Sequence, residues 1–178
     1  MFHKTQRLLL RPSWIEDAPA IAAGIGEQAI VRNLATAPWP YGLADAERFA
    51  GRPQDPRLPH FLIHLPGEGV IGSVGFGQDD SEVEIGYWIA RAWWGRGFAT
   101  EAARALVALA PILGHRRLVA GHFLDNPASG KVLRKAGFRP TGRRLRRHSA
   151  ARGTHAELAE YELPLVCSHG PAELPQAA

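Results

Sequence analysis

The stretch WWGRGFATEA, residues Trp93–Ala102, decides how this chain is read. It places two glycines and an arginine between a run that alternates like a strand and a run spaced like a helix. Before it, SEVEIGYWIA (Ser81–Ala90) turns Val83, Ile85, Tyr87 and Ile89 to one face and Glu82, Glu84, Gly86 and Trp88 to the other. After it, Ala102, Ala103, Leu106, Leu109, Ala110 and Leu113 form one apolar helical stripe, with Gly114 as a stop. A strand, a glycine turn and a helix start together describe an anion site. The first N–H groups of a helix lack intrahelical partners, and the helix dipole adds positive potential there. Gly95 and Gly97 carry no Cβ to hold a phosphate away, and Arg96 adds a full charge.

Two familiar phosphate signatures fit poorly. A P-loop closes on Gly-Lys-Ser/Thr, whereas Phe98-Ala99-Thr100 follows Gly97 here. A dinucleotide fingerprint needs a third glycine where Thr100 stands, belongs to the first strand, and wants an acid ~20 positions on, where none occurs.

Working outward, QRLLLRP (Gln6–Pro12) reads as a first strand, and Ser13 with Glu16 as a capping box opening a helix from Trp14 to about Ile25. A short helix follows from Leu43, capped by Asp45. His60–Leu65 and Gly69–Gly77 read as a hairpin turning at Pro66-Gly67. Arg116–Phe123 is a strand. Asn126–Phe138 is a helix with Asn126 as N-cap, Pro127 in the first turn and Gly137 closing it. Strands around Pro140–Arg147 and His155–Val166, joined by an arginine-rich loop, complete a mixed α/β domain over residues 1–166. Residues 167–178 read as a loose tail.

The 178 residues are 46% hydrophobic and 21% charged, the balance of an ordinary globular chain. The net charge of +4 suits a polyanionic small molecule or an acidic partner more than nucleic acid. A lone Cys167 excludes an internal disulfide framework, and no window approaches the ~20 apolar residues of a membrane span. These features predict a cytoplasmic protein without membrane contact.

EVEIGYWIARAWWGRGFATEAARALV followed by NPASGKVLRKAGF resembles the GNAT superfamily of acetyl-CoA-dependent N-acetyltransferases. The opening TQRLLLRPSWIEDAPAI is similar to the branch that holds the ribosomal-protein N-terminal acetyltransferases, so the resemblance runs from about Thr5 to Leu165. It implies a mostly antiparallel central sheet, splayed at the coenzyme site and flanked by helices. It also implies that the backbone of Trp94, Gly95, Arg96, Gly97, Phe98 and Ala99, with Thr100 next along the helix, grips the coenzyme A pyrophosphate. Trp94 stands where the family pattern has Gln or Arg. The edge at Trp88, Ile89 and Ala90 pairs with pantetheine, Gly86 marks a bulge or close approach, and Asn126 contacts the pantetheine chain. Leu133 replaces a tyrosine that many members use to protonate the leaving thiolate, so the resemblance passes that role to Ser129. Direct attack by an amine on the thioester needs a base. Glu84 is the candidate, with Glu82 in reserve.

Other features take plainer readings. His60 and His64 lie in a strand-like run without a third ligand, so no metal is expected. Trp39 and Tyr41 either wall an acceptor site or anchor their loop. The five arginines of GRRLRRHSAARG (Gly142–Gly153) read as a solvated strand face and loop, or as contacts to the coenzyme 3′-phosphate or an acidic acceptor. The expectation is an acyltransferase, monomer or homodimer, that moves acetyl from acetyl-CoA to a protein N-terminus or a small-molecule amine. The alternatives are a non-catalytic acyl-CoA- or RNA-binding module and, most remotely, a nucleotide-dependent oxidoreductase.

Overall fold

The structure, a computed structural model, describes residues 1–79 and 82–165; Ser81, Val166, Cys167 and the expected tail lie outside them. Among the described residues one eight-stranded sheet runs in the order β1-β2-β3-β4-β5-β6-β8-β7. The strands are β1 (His3–Lys4), β2 (Leu9–Arg11), β3 (His60–Leu65), β4 (Gly69–Asp79), β5 (Glu82–Ile89), β6 (Arg117–Phe123), β7 (Arg139–Ser149) and β8 (Thr154–Pro164). The helices are α1 (Ala18–Ile25), α2 (Gln28–Val31), α3 (Leu43–Ala50), α4 (Phe98–Leu109) and α5 (Pro127–Lys135). Every neighbouring pair is antiparallel except β5 and β6. The sheet is therefore mostly antiparallel, open and flanked by helices, as the family resemblance implies.

The alternation in β5 is what separates two cores. Ile85 and Ile89 pack with Leu106 of α4, Leu118 of β6 and Leu133 of α5 on one face. Trp88 packs with Leu62, Ile21, Ile25 and Ala46 on the other, beneath α1 and α3. Full burial of such side chains contributes about 1.5–3 kcal/mol each, so both faces hold β5 firmly.

The two edges of β5 behave differently. Toward β4 the register runs without interruption from Glu82↔Asp79 to Ile89↔Gly72. Toward β6 the register is the single pair Glu84↔Val119. Beyond Glu84 the sheet parts and leaves the carboxyl end of β5 as an open edge.

Several local expectations change. Ser13 does not cap: its hydroxyl donates to Ala50 O at 3.2 Å. Trp14 N–H instead donates to Asp17 at 2.8 Å, and Arg11 holds the same carboxylate at 2.6 and 2.8 Å. A short 3-10 turn over Ile15–Asp17 therefore precedes α1. Asp45 sits in the first turn of α3 and reaches back to Gly42 N–H at 2.8 Å, so Gly42 is the N-cap. Gly86 forms no bulge: it pairs regularly with Gly75, and the irregularity in this part of the sheet falls at Ile63/His64. The arginines from Arg143 to Arg147 are within β7, and only Arg152 lies in the turn that follows.

Candidate active site

Local backbone geometry builds the glycine turn. Gly95 has φ +76° and Gly97 has φ +81°, the left-handed region in which a Cβ is strained. Gly97 is the N-cap of α4 and has no side chain to offer as a cap. The first α4 N–H to find a carbonyl is that of Glu101, on Gly97 O at 3.1 Å. The N–H groups of Phe98, Ala99 and Thr100 precede it and are left for a ligand. A Cβ built at Gly95 meets nothing within 4 Å, so the space above the turn is open. An uncapped helix start under open space fits the pyrophosphate of coenzyme A.

The two tryptophans have separate duties. Trp93 packs edge-on against Phe98 with ring centroids 6.1 Å apart, and the Arg96 guanidinium lies 4.9 Å over its ring. Trp94 is 46% exposed, yet its indole N–H donates to Ile89 O at 2.6 Å. The side chain at the family's Gln/Arg position thus ties the turn to the open edge of β5. Ala90 N–H donates to Ile71 O at 2.9 Å, toward β4. By strand alternation Trp88 also directs its backbone to β4, while Tyr87 and Ile89 direct theirs to the open edge. Of Trp88, Ile89 and Ala90, then, only Ile89 offers backbone to a pantetheine chain along that edge. Trp88 contributes a buried indole from the opposite face of the sheet.

Residues that the sequence reading did not single out complete this end. Glu101 accepts from the Thr5 hydroxyl at 2.6 Å, the Arg7 N–H at 2.8 Å and the Arg7 guanidinium at 2.7 Å. Arg7 also donates to Arg96 O at 3.1 Å and lies 4.5 Å over the Phe98 ring. The N-terminal segment is thereby clamped to the glycine turn. Burial raises the Glu101 carboxyl, and these donors overcome it and hold it below its ordinary value. An open groove of about 380 Å³ runs beside the turn, lined by Arg7, Gly97, Thr100, Arg104 and Lys135 among others. Thr100 and Arg104 are four apart on one helix, a spacing legible in the sequence. The arginines of β7 lie on the far edge strand of the sheet, whereas Arg96 lies within the turn and Arg7, Arg104 and Lys135 line the groove beside it.

Glu84 stands at the last residue before the strands part. Its carboxylate accepts from Arg147 Nη1 at 2.6 Å, and both side chains are 22% exposed. Glu82 accepts from Arg117 at 2.6 Å, and Arg117 also reaches Glu162 at 2.8 Å. Both candidate bases are ion-paired, which sequence spacing gave no means to see.

Asn126 caps α5, its side chain accepting from Ser129 N–H at 3.4 Å. Just before it, Asp125 is held by Arg152 at 2.9 Å and by Arg32 at 2.6 Å; the Arg152 hydrogen bond leads in depressing its carboxyl. Arg152 also donates to Arg32 O, and Ser149 to Leu34 O, so the β7–β8 turn and the segment after α2 are joined beside the cleft. The Ser129 hydroxyl lies 2.8 Å from the Tyr87 hydroxyl, which is also 3.2 Å from Ser129 O. Burial pushes the Tyr87 phenol up to about 12, with the Ser129 hydrogen bond opposing and Tyr161 adding to it. The sequence reading turned Tyr87 to the same face as Val83, Ile85 and Ile89, and the partner of its hydroxyl is what that reading missed. Leu133 is 1% exposed and serves packing.

His60 is the side chain that covers Gly75, and it meets Phe49 edge-on. Among the described residues no three His, Cys, Asp or Glu side chains gather as a metal site, and no helix is long and apolar enough to cross a membrane. Tyr41 packs against the α1–α3 core, whereas Trp39 is 42% exposed.

Comparison with known proteins agrees with this geometry. Residues 7–139 match the family model described as an acetyltransferase (GNAT) domain. The chain is 31% identical over 175 residues to the uncharacterized N-acetyltransferase YoaA of Bacillus subtilis (strain 168), covering 90% of this chain and 94% of that protein. It is 28% identical over 168 residues to the uncharacterized N-acetyltransferase p20 of Bacillus licheniformis, covering 89% and 93%. Among solved structures, a GNAT-family acetyltransferase from Bacillus anthracis superimposes with TM-score 0.79 at 21% identity, covering 92% of this chain and 98% of that one. RimL, the ribosomal L7/L12 α-N-protein acetyltransferase in complex with coenzyme A, superimposes with TM-score 0.77 at 18% identity, covering 94% and 100%. These structural likenesses speak to the fold. With the family model spanning most of the chain, an uncapped α4 at a splayed sheet and a 31% identical relative, this protein is an acyltransferase that belongs to the GNAT acetyltransferase family, whose members acetylate with acetyl-CoA.

Proposed function

We propose that this protein transfers the acetyl group of acetyl-CoA to a primary amine by direct attack, without an acyl-enzyme. The acceptor is a protein N-terminus or a small-molecule amine. The observation that carries the reading is the parting of β5 from β6 after Glu84, which leads along an open edge to the uncapped start of α4. Among structural neighbours, RimL acetylates a ribosomal protein and a Vibrio cholerae enzyme acetylates spermidine, so the fold serves both kinds of acceptor.

In this reading the backbone N–H groups from Gly95 to Thr100 hold the pyrophosphate, with Arg96, Arg7, Arg104 and Lys135 supplying positive charge around it. Asn126 contacts the pantetheine chain. The backbone of Ile89 lines the edge along which pantetheine lies, and its N–H is the donor that polarises the thioester carbonyl. Trp94 secures that edge from the side. An amine is protonated at neutral pH, with an ordinary pKa of about 7.7–8.0 for an α-amino group and about 10.4 for lysine. Glu84 therefore accepts a proton from the ammonium, directly or through water. An incoming ammonium competes with Arg147 for the same carboxylate oxygens, so acceptor binding and base presentation are one event. Glu82, paired to Arg117, is the reserve. Ser129 delivers a proton to the departing sulfur. Proton transfer supplies roughly 10²–10⁴-fold, and holding amine and thioester in register supplies about 7–11 kcal/mol at best.

Thiol release from acetyl-CoA against a panel of peptide N-termini, polyamines, amino sugars and amino acids tests the reading. Amine-dependent turnover that Glu84→Gln lowers about 100-fold, with coenzyme A affinity preserved, is the expected outcome. Coenzyme binding without turnover across the panel would overturn it in favour of a non-catalytic module.

A further inference from the structure

We propose that Tyr87 is a positioning residue for the leaving-group step: its phenol holds the Ser129 hydroxyl turned toward the departing sulfur. The inference rests on the role given to Ser129 above and deepens it.

A serine in the first turn of a helix ordinarily bonds back to a carbonyl three or four residues earlier, or to solvent. Ser129 does otherwise. Its Oγ is 2.8 Å from the Tyr87 hydroxyl, on a strand of the sheet rather than on its own helix. Tyr87 sits on β5 beyond Glu84, where the strand has left β6, and two residues before Ile89. The phenol therefore rises from the floor of the cleft beneath the start of α5, and the backbone at its root lies on the open edge.

The close approach of α5 to the neighbouring strands β6 and β8 is built in. A Cβ at Gly130 would come within 2.5 Å of His122 Nε2 and 3.1 Å of the Tyr161 hydroxyl, so only glycine lets the helix lie this close. Leu133, on the same helix, is in the position where the family resemblance looks for tyrosine, and it is 1% exposed. A phenol is thus supplied by the strand instead of the helix, and it reaches the serine rather than the sulfur site itself.

Two proton arrangements satisfy the pair. In one, Ser129 donates to Tyr87 and Tyr87 donates to Ser129 O, 3.2 Å away. The serine proton then faces away from the cleft. In the other, Tyr87 donates to Ser129 Oγ and the serine proton is free to point at sulfur. Negative charge growing on sulfur favours the second arrangement, and only the two hydroxyl hydrogens have to rotate. In the reaction the amine nitrogen bonds to the carbonyl carbon, the C–S bond breaks, and sulfur leaves with the electron pair. The proton that ends on sulfur is the serine's; Ser129 regains one from water, and the new amide nitrogen gives its second proton to that water, so the protons balance. No proton leaves Tyr87. Its phenol stays protonated through the working range because burial raises it, so it is a donor at every relevant pH.

The test measures kcat and KM for Tyr87→Phe, Ser129→Ala and the double variant. Each is assayed with acetyl-CoA and with the acetyl thioester of p-nitrothiophenol, whose thiolate leaves without help. Tyr87→Phe should lower kcat with acetyl-CoA about tenfold, one hydrogen bond's worth, and leave KM for acetyl-CoA within about twofold. The defect should shrink to less than about threefold with the activated thioester, and the double variant should be no slower than Ser129→Ala. A wild-type kcat in Tyr87→Phe, or an equal defect with both thioesters, overturns the inference and leaves Tyr87 a packing residue. A fast Ser129→Ala overturns the serine reading itself. A slow Ser129→Ala beside a normal Tyr87→Phe overturns the Tyr87 inference alone. Should Tyr87→Phe melt well below the wild type, 3-fluorotyrosine placed at position 87 keeps the shape and acidifies the phenol. The expected result is then a fall in kcat with acetyl-CoA toward high pH that the wild type does not show, and a profile that matches the wild type overturns the proposal.

Discussion

The two ends of the cleft are made of different material. At the end proposed for the coenzyme the groups on offer are backbone: the N–H groups after Gly97 and the open edge at Ile89. Where the proposed reading puts proton transfer they are side chains held by long-range pairs: Glu84 on Arg147, 63 residues apart, and Tyr87 on Ser129, 42 residues apart. Backbone sites depend on local conformation, which a few residues in a row can specify. Side-chain sites depend on where the fold brings distant residues, and they can be retuned without disturbing the coenzyme end. One family can therefore keep its donor while changing its acceptor.

The sharpest way to break that contrast is at Gly97. Gly97→Val forces a β-branched residue to φ +81° at the head of α4. Left-handed strain of about 1–2 kcal/mol, with the loss of a backbone contact worth about 1 kcal/mol, should weaken coenzyme A binding roughly 100-fold by calorimetry. Little loss of affinity would mean that the turn is only a connection. At the other end, Arg147→Met should alter KM for the amine severalfold and leave coenzyme A affinity unchanged, since in the proposed reading the guanidinium competes with the acceptor for Glu84. A change confined to coenzyme affinity would collapse the division between the two ends.

Trp94→Phe tests a smaller effect. It removes the indole N–H from Ile89 O, a bond of 2.6 Å, and keeps most of the packing. KM for acetyl-CoA should rise about threefold to tenfold, since one hydrogen bond contributes about 0.5–1.5 kcal/mol.

The smallest effect is a pH dependence. Glu101 is held below its ordinary 4.5 by donors from Thr5 and Arg7. A depressed carboxyl stabilises the fold above its unfolded pKa, and that contribution is lost as pH falls through the folded value. Thermal stability should therefore hold above pH 4.5 on this account and decline below it, less steeply in Glu101→Gln. An equal decline in that variant would remove the clamp from the explanation.

How much was legible follows the same division. The alternation of Val83–Ile89 set which residues of β5 entered each core, because a strand has a strict period of two. Asn126 and Pro127 marked the start of α5 for the same local reason. The capping box at Ser13 and Glu16 misled because Asp17, fixed by Arg11 from a neighbouring strand, took over the cap. Tyr87 packs against the core, and strand alternation gave no sign that its hydroxyl meets Ser129.

By itself the sequence determined the α/β order, the two faces of β5 and the glycine turn, since each follows from torsional limits and side-chain period over a few consecutive residues. The tertiary structure decided that Glu84 meets Arg147, that Arg7 clamps Glu101 and that Tyr87 meets Ser129. Those pairs lie 42 to 94 residues apart, and nothing in local conformational preference selects one distant partner over another until the sheet is assembled.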